Sequence, residues 1–217
     1  MLTKYGYTTI GIVAIISLLL ISFSFFVQNN PLKVILILIA AVILFLTLNF
    51  FRDPERKTPS QKGIIVSPAD GKVIVVKENV SNSFVGDSCN QISIFMSPLN
   101  VHVNRIPISG KVEHLKYYEG KFIAAFEDKA SENNERMEIG IVSDGNKILF
   151  TQIAGFLARR IVNDLKINDD VTIGERFGMI KFGSRVDVFV PGNWKPVVKL
   201  NDNASAGETV LFELKDK

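Results

Sequence analysis

The sequence predicts a mainly β soluble domain behind an N-terminal α-helical transmembrane hairpin, and three observations predict it. The first fifty residues are almost saturated with apolar side chains. One polar turn, Gln28-Asn29-Asn30-Pro31, divides that stretch in two. Beyond it, short alternating runs separated by Gly, Pro, Asn and Asp fill the chain to residue 217, as strands and turns do.

The apolar runs come first. Ile10 to Val27 and Leu32 to Phe51 are each about long enough to cross a hydrocarbon core of ~30 Å as helices, so residues 1–51 are expected to form the hairpin. The first run has only a thin basic start and no small-residue cleavage site after it, unlike a signal peptide. Lys4 precedes the hairpin and Arg52, Arg56, Lys57 and Lys62 follow it, which predicts both flanks, and the domain after them, on the cytoplasmic side. A buried hairpin of a soluble protein and a hairpin lying shallowly in one leaflet are the alternatives. Residues 52–62, charged and proline-containing, read as a linker at the membrane surface, and residues 63–217 as the β-rich domain.

Within that domain, strands are expected at Ile64–Val66, Gly71–Val76, Gln91–Met96, Val101–Ile106, Gly110–Leu115, Phe122–Glu127, Met137–Val142, Lys147–Ile153, Met179–Phe182 and Arg185–Val190, with a last strand after Ala206-Gly207. Ser143-Asp144-Gly145-Asn146 is a hairpin-type turn. Asp128 to Arg136 reads as an exposed loop and Ala158 to Leu165 as a short helix. Ala69-Asp70-Gly71-Lys72-Val73 and Ile108-Ser109-Gly110-Lys111-Val112 share a small-residue turn followed by Gly-Lys-Val, which points to a duplicated β unit.

Charge and cysteine content narrow the function. Of the basic residues only Lys4 and Lys33 precede Arg52, and every acidic residue follows it, so the β domain is nearly neutral and no nucleic-acid surface is expected. A single cysteine, Cys89, allows no intrachain disulfide, and with two histidines it makes a poor metal site.

The chemistry-bearing stretch is Phe177 to Pro191, where Gly183-Ser184 separates two extended runs. Glycine leaves its carbonyl carbon open to approach, and a serine directly after it is placed to attack that carbonyl if a base is near. A plain turn is the alternative. His102 shares one face of its expected strand with Asn104, and Asp70 sits in the turn Ser67-Pro68-Ala69-Asp70-Gly71. An Asp, a His and a Ser are the parts needed to orient a base, move a hydroxyl proton and attack a carbonyl, although spacing does not show that they meet. Arg159 and Arg160 suit a carboxylate or phosphate, or else a solvated face. Trp194 is either an interfacial anchor or core.

Taken together and in order, Phe51-Arg52-Asp53-Pro54, Ser67 to Val73, Phe95-Met96-Ser97-Pro98, Val101-His102-Val103-Asn104-Arg105, Asn134-Glu135-Arg136, Gln152-Ile153-Ala154-Gly155, Ala158-Arg159-Arg160-Ile161 and Gly174 to Asp187 resemble the short form of phosphatidylserine decarboxylase. The resemblance spans nearly the whole chain. It implies a membrane-attached proenzyme that cuts itself between Gly183 and Ser184 into a β chain, 1–183, and an α chain, 184–217, which stay associated. It further implies that Ser184 becomes a covalent pyruvoyl cofactor, that His102 is the general base and proton donor, and that Asp70 orients His102. Arg159 and Arg160 are then candidates for the lipid phosphate. Where the longer bacterial form has a second histidine, this chain has Arg105. The rivals are a decarboxylase of another phosphoserine lipid (archaetidylserine type), a non-catalytic membrane-anchored β domain, and a serine hydrolase built on Ser184, His102 and Asp70.

Overall fold

The computed structural model describes residues 1–120, 134–155, 160–181 and 183–215. These fall into two compact units, Met1–Glu55 and Arg56–Lys217.

The first unit is a helical hairpin. After a 3-10 turn at Lys4–Gly6 come α1, Tyr7–Ser24, and α2, Asn30–Phe50. The polar break works through Asn29, whose side chain accepts the Leu32 N–H at 3.1 Å and caps α2, with Pro31 in the first turn, where its missing donor costs nothing. The helices touch where side chains are small: the Ser17 hydroxyl donates to the Ala40 carbonyl at 3.3 Å, and both residues are buried. The two ends of the hairpin are laced, with Thr3 N–H donating to the Phe51 carbonyl at 2.9 Å and Asp53 N–H to that of Met1 at 2.8 Å. Gly6 lies against the Phe51 ring, where a Cβ would collide with it. Leu18, Leu19, Phe23, Leu38 and Phe45 remain uncovered. Two helices long and apolar enough to cross a bilayer, with their apolar faces uncovered, indicate membrane association.

The second unit is β. Its strands are β1 (Ile64–Val66), β2 (Gly71–Asn82), β3 (Gly86–Met96), β4 (Val103–Arg105), β5 (Gly110–Tyr118), β6 (Arg136–Ser143), β7 (Asn146–Ala154), β8 (Ile161–Asn163), β9 (Asp170–Val171), β10 (Arg176–Ile180), β11 (Ser184–Pro191), β12 (Trp194–Pro196), β13 (Asn203–Ala204) and β14 (Val210–Leu214). One large antiparallel sheet runs β13-β2-β3-β11-β7-β6-β5-β9; two three-stranded sheets run β4-β10-β8 and β1-β14-β12. The large sheet reads alike from either edge. Gly71 opens β2 beside the two-residue strand β13, and Gly110 opens β5 beside the two-residue strand β9. Each glycine leaves no room for a Cβ against a neighbouring backbone carbonyl, of Phe95 and Val142 respectively. The two Gly-Lys-Val runs thus occupy equivalent places.

Strand alternation builds the core. Ile92, Ile94 and Met96 of β3, Val186, Val188 and Val190 of β11, Ile148 and Phe150 of β7, and Ile139 and Ile141 of β6 are all buried. Trp194 is core as well. β11 lies between β3 and β7, pairing Ser184 with Met96 on one side and Ala154 on the other.

Two expectations need correction. Ile161–Asn163, placed in a helix by the sequence reading, is strand β8, paired with Gly178–Ile180. The β-branched pair Ile161-Val162 and an open edge on β10 outweigh a weak helical pattern. The end of the expected loop Asp128–Arg136 is not exposed: Asn134 and Glu135 are buried, with Asn134 Nδ2 donating to the Ala154 carbonyl at 2.7 Å. The expected strand Phe122–Glu127 lies outside the described residues, as does Arg159.

Candidate active site

The site forms where the large sheet meets the sheet β4-β10-β8. β10 ends at Ile180 in the small sheet and β11 begins at Ser184 in the large one. Gly183 makes the crossing with φ of +65°, the left-handed region that favours glycine, and its Cβ position is open space. Ser184 is completely buried, and its hydroxyl donates to the Met96 sulfur at 3.2 Å.

His102, also completely buried, approaches from the segment before β4. Its backbone carbonyl accepts the Ile180 N–H at 3.3 Å, which ties it to the end of β10. Nδ1 lies 2.9 Å from the Asn100 carbonyl, and a carbonyl can only accept, so Nδ1 carries the proton. Nε2 is then the basic nitrogen, and it accepts the Gly183 N–H at 3.4 Å. Asn100 is itself fixed by a tight turn: its N–H donates to the Ser97 carbonyl at 2.9 Å and its side chain accepts the Ser97 N–H at 2.8 Å. Sequence pattern thus found His102 but not the residue that sets its tautomer.

Asp70 is engaged elsewhere. Oδ2 pairs with Arg56 at 2.7 Å and Oδ1 accepts the Ala206 N–H at 2.8 Å. Arg56 also holds Glu208 at 2.9 Å, and Glu208 accepts the Lys57 N–H. Among the described residues no hydrogen bond joins Asp70 to His102, so the Asn100 carbonyl, not Asp70, orients the imidazole here. The Lys57 N–H, with help from Arg56 and Arg105 and against the effect of burial, holds the Glu208 carboxyl below its ordinary value.

The structure adds residues to which the sequence reading gave no role. Asn104 is buried; its Nδ2 donates to the Pro68 carbonyl at 3.2 Å and lies 3.9 Å from the Met96 sulfur. Gln152 Nε2 donates to Asn104 Oδ1 at 2.9 Å. Lys181, directly after β10, donates its N–H to the Arg160 carbonyl at 3.2 Å, which brings two cations together near Gly183. Burial, then the Arg160 charge, pushes the Lys181 ammonium below its ordinary value. Arg160 is exposed.

Comparison with known proteins fits this geometry. The family profile described as phosphatidylserine decarboxylase matches residues 43–212. The chain belongs to the phosphatidylserine decarboxylase family. Among its relatives is a protein of Chlorobium phaeovibrioides named phosphatidylserine decarboxylase proenzyme, 50% identical over 216 residues that cover 99% of this chain and 97% of the relative. A Chlorobium luteolum protein of the same name is 51% identical over 97% of this chain and 99% of its own. One from Chlorobaculum tepidum is 49% identical over 84% of each. The stretch matched by the phosphatidylserine decarboxylase profile includes every site residue described above.

Proposed function

We infer that this chain is a phosphatidylserine decarboxylase, converting phosphatidylserine to phosphatidylethanolamine and CO2, and that it matures by cutting itself between Gly183 and Ser184. The observation that carries the self-cutting step is the crossing itself. A buried serine follows a left-handed glycine, and the basic nitrogen of a buried histidine lies at that glycine's N–H.

In this reading the Ser184 hydroxyl leaves the Met96 sulfur and gives its proton to His102 Nε2 while Oγ attacks the Gly183 carbonyl carbon. The C–N bond breaks, His102 returns the proton to the departing nitrogen, and an ester joins Gly183 to Ser184 Oγ. Removal of the Ser184 Cα proton then expels the Gly183 carboxylate, and one water hydrolyses the remaining enamine through its imine tautomer, releasing ammonia and leaving a ketone at position 184.

A buried, strand-anchored residue 184 beside an imidazole fits the pyruvoyl group that this sequence of steps leaves. That group supplies the sink for the electrons released when CO2 departs. The chain's own residues do the rest. His102 holds a proton at Nε2, with Nδ1–H pinned on Asn100, and burial of Met96, Asn104 and Gln152 keeps bulk water from that proton. In this reading Arg160 and Lys181, with Arg159 next to Arg160 in sequence, supply the positive charge for the phosphate of the headgroup. Asp70, through Arg56 and the Ala206 N–H, holds the 206–208 turn against the Ser67–Asp70 turn. The α and β chains stay together because β11, whose first residue is the cut point, is hydrogen-bonded on both sides by β-chain strands. The apolar hairpin keeps the domain on the bilayer that holds its substrate, with the basic residues Arg52, Arg56 and Lys57 favouring the cytoplasmic side.

The test is the intact mass of the purified protein before and after borohydride. Cleavage after Gly183, with a blocked 184–217 chain that gains mass on reduction, is expected; Ser184→Ala leaves one uncut chain. An uncut wild-type chain overturns the reading.

A further inference from the structure

The orphaned group in this site is the side-chain carbonyl of Gln152, which is buried and accepts no hydrogen bond among the described residues. Its orientation is fixed by its neighbours. The Pro68 carbonyl can only accept, so the Asn104 side chain must present its NH2 there and its oxygen to Gln152. Gln152 must then present its own NH2 to that oxygen, leaving Oε1 as an acceptor without a donor.

That acceptor belongs to the reacting centre. In the register of β7 and β11, Gln152 lies opposite Val186 and Ala154 opposite Ser184, which makes Gln152 and Ser184 diagonal neighbours on one face of the sheet. Asn104, bonded to Gln152, approaches the same Met96 sulfur that receives the Ser184 hydroxyl. Gly178 gives the amide its room: a Cβ there would meet the Val162 carbonyl and stand 3.3 Å from Gln152 Nε2. A buried carbonyl without a donor costs free energy, so it persists where a ligand supplies the donor.

We propose that Gln152 Oε1 receives the α-ammonium of the serine headgroup and is the contact by which the site selects an amine-bearing substrate. The inference rests on the decarboxylase reading above. Of the groups that substrate brings to residue 184, the carboxylate and the phosphate only accept hydrogen bonds and are repelled by a carbonyl oxygen; the ammonium only donates. A charge-assisted bond in a buried site is strong enough to discriminate between headgroups.

The test uses the full-length, detergent-solubilised protein after self-cleavage and borohydride reduction, which removes the ketone so that amines bind without reacting. The intact mass first shows that the chain has been cut; an uncut wild-type chain defeats the decarboxylase reading and this inference with it. Binding of glycerophosphoserine is then compared with that of the analogue carrying hydrogen in place of the amino group. Wild-type protein is expected to favour the amine about tenfold or more. Gln152→Met, cut as wild type, is expected to lose that preference while holding the amine-free analogue within about twofold. Equal binding of the two probes by wild type overturns the proposal without recourse to any variant. A Gln152→Met protein that keeps the preference assigns the acceptor to a buried water and overturns it too. If Gln152→Met folds but is not cut, the carbonyl serves the precursor's own chemistry, and the substrate role is wrong.

Discussion

The hydroxyl of Ser184 rests 3.2 Å from the sulfur of Met96 rather than on the imidazole of His102. A thioether is a weak acceptor, so this contact holds the serine without activating it. Met96→Leu keeps the volume, costs less than about 1.5 kcal/mol of stability and frees the hydroxyl. Self-cleavage followed by gel or mass is expected to proceed at least as fast as in wild type. Loss of cleavage in a folded Met96→Leu protein would make the sulfur a required positioning group.

His102 and Asn100 are expected to separate from Asp70 in their effects. His102→Ala removes the only imidazole at the cut and should abolish cleavage in a protein that still folds. Asp70→Asn loses its ion pair with Arg56 and should cost about 1.5 kcal/mol in urea unfolding while cleavage persists. Arg56→Met should behave the same way. Cleavage lost in Asp70→Asn but kept in Arg56→Met would return Asp70 to the chemistry of His102.

Acid should loosen the Arg56 cluster. The Glu208 carboxyl lies below its ordinary value of 4.5 in the folded chain, so the unfolded chain binds the proton first. Its contribution is complete above 4.5 and is lost as pH falls through the lowered folded value. Thermal unfolding followed between pH 6 and pH 3 (about the range over which carboxylates titrate) should show a shallower decline in Glu208→Gln than in wild type.

Lys181 should titrate with the same sign, at the alkaline end of the range. Its folded value lies below 10.5, so in that window the unfolded chain holds the proton and stability rises with pH. A bound phosphate monoester would favour the charged ammonium. Its binding should therefore take up protons in that window, measurable as buffer-dependent heat, and Lys181→Met should abolish the uptake.

The Arg185–Asp187 pair is buried on the far face of β11, at 2.6 Å, with Arg185 also donating to Ser93 at 2.9 Å. Arg185→Met strips the buried Asp187 of that partner and should cost about 3 kcal/mol. Equilibrium unfolding of the uncut Ser184→Ala form measures this without interference from cleavage.

Much of this architecture could be read from side-chain periodicity. The hairpin followed from apolar length, and β1 from three consecutive apolar residues; Gly183-Ser184 stood out because it interrupts two alternating runs. The misses have local causes. β8, β9, β12 and β13 are two or three residues long and exist only because a neighbour offers an open edge, which no window of sequence reports. His102 was expected in a strand but lies just before β4, and its tautomer depends on a backbone carbonyl two residues away, which carries no residue signature. Asn104 could be read as a polar residue in an apolar run, but its link to Gln152 spans 48 residues of chain. The resemblance gave Asp70 the task of orienting His102; in this structure it pairs with Arg56, fourteen residues earlier.

β11 sits in the middle of the large sheet, and its first residue is Ser184. In the self-cleavage reading, the Gly183–Ser184 bond is therefore aligned only after β3 and β7 have closed around the strand that follows it. Separately made 1–183 and 184–217 fragments would face the task of inserting a lone central strand between two partners already joined to the sheet. In the self-cleavage reading, cutting therefore follows closure of the sheet and marks, irreversibly, that β11 has found its place.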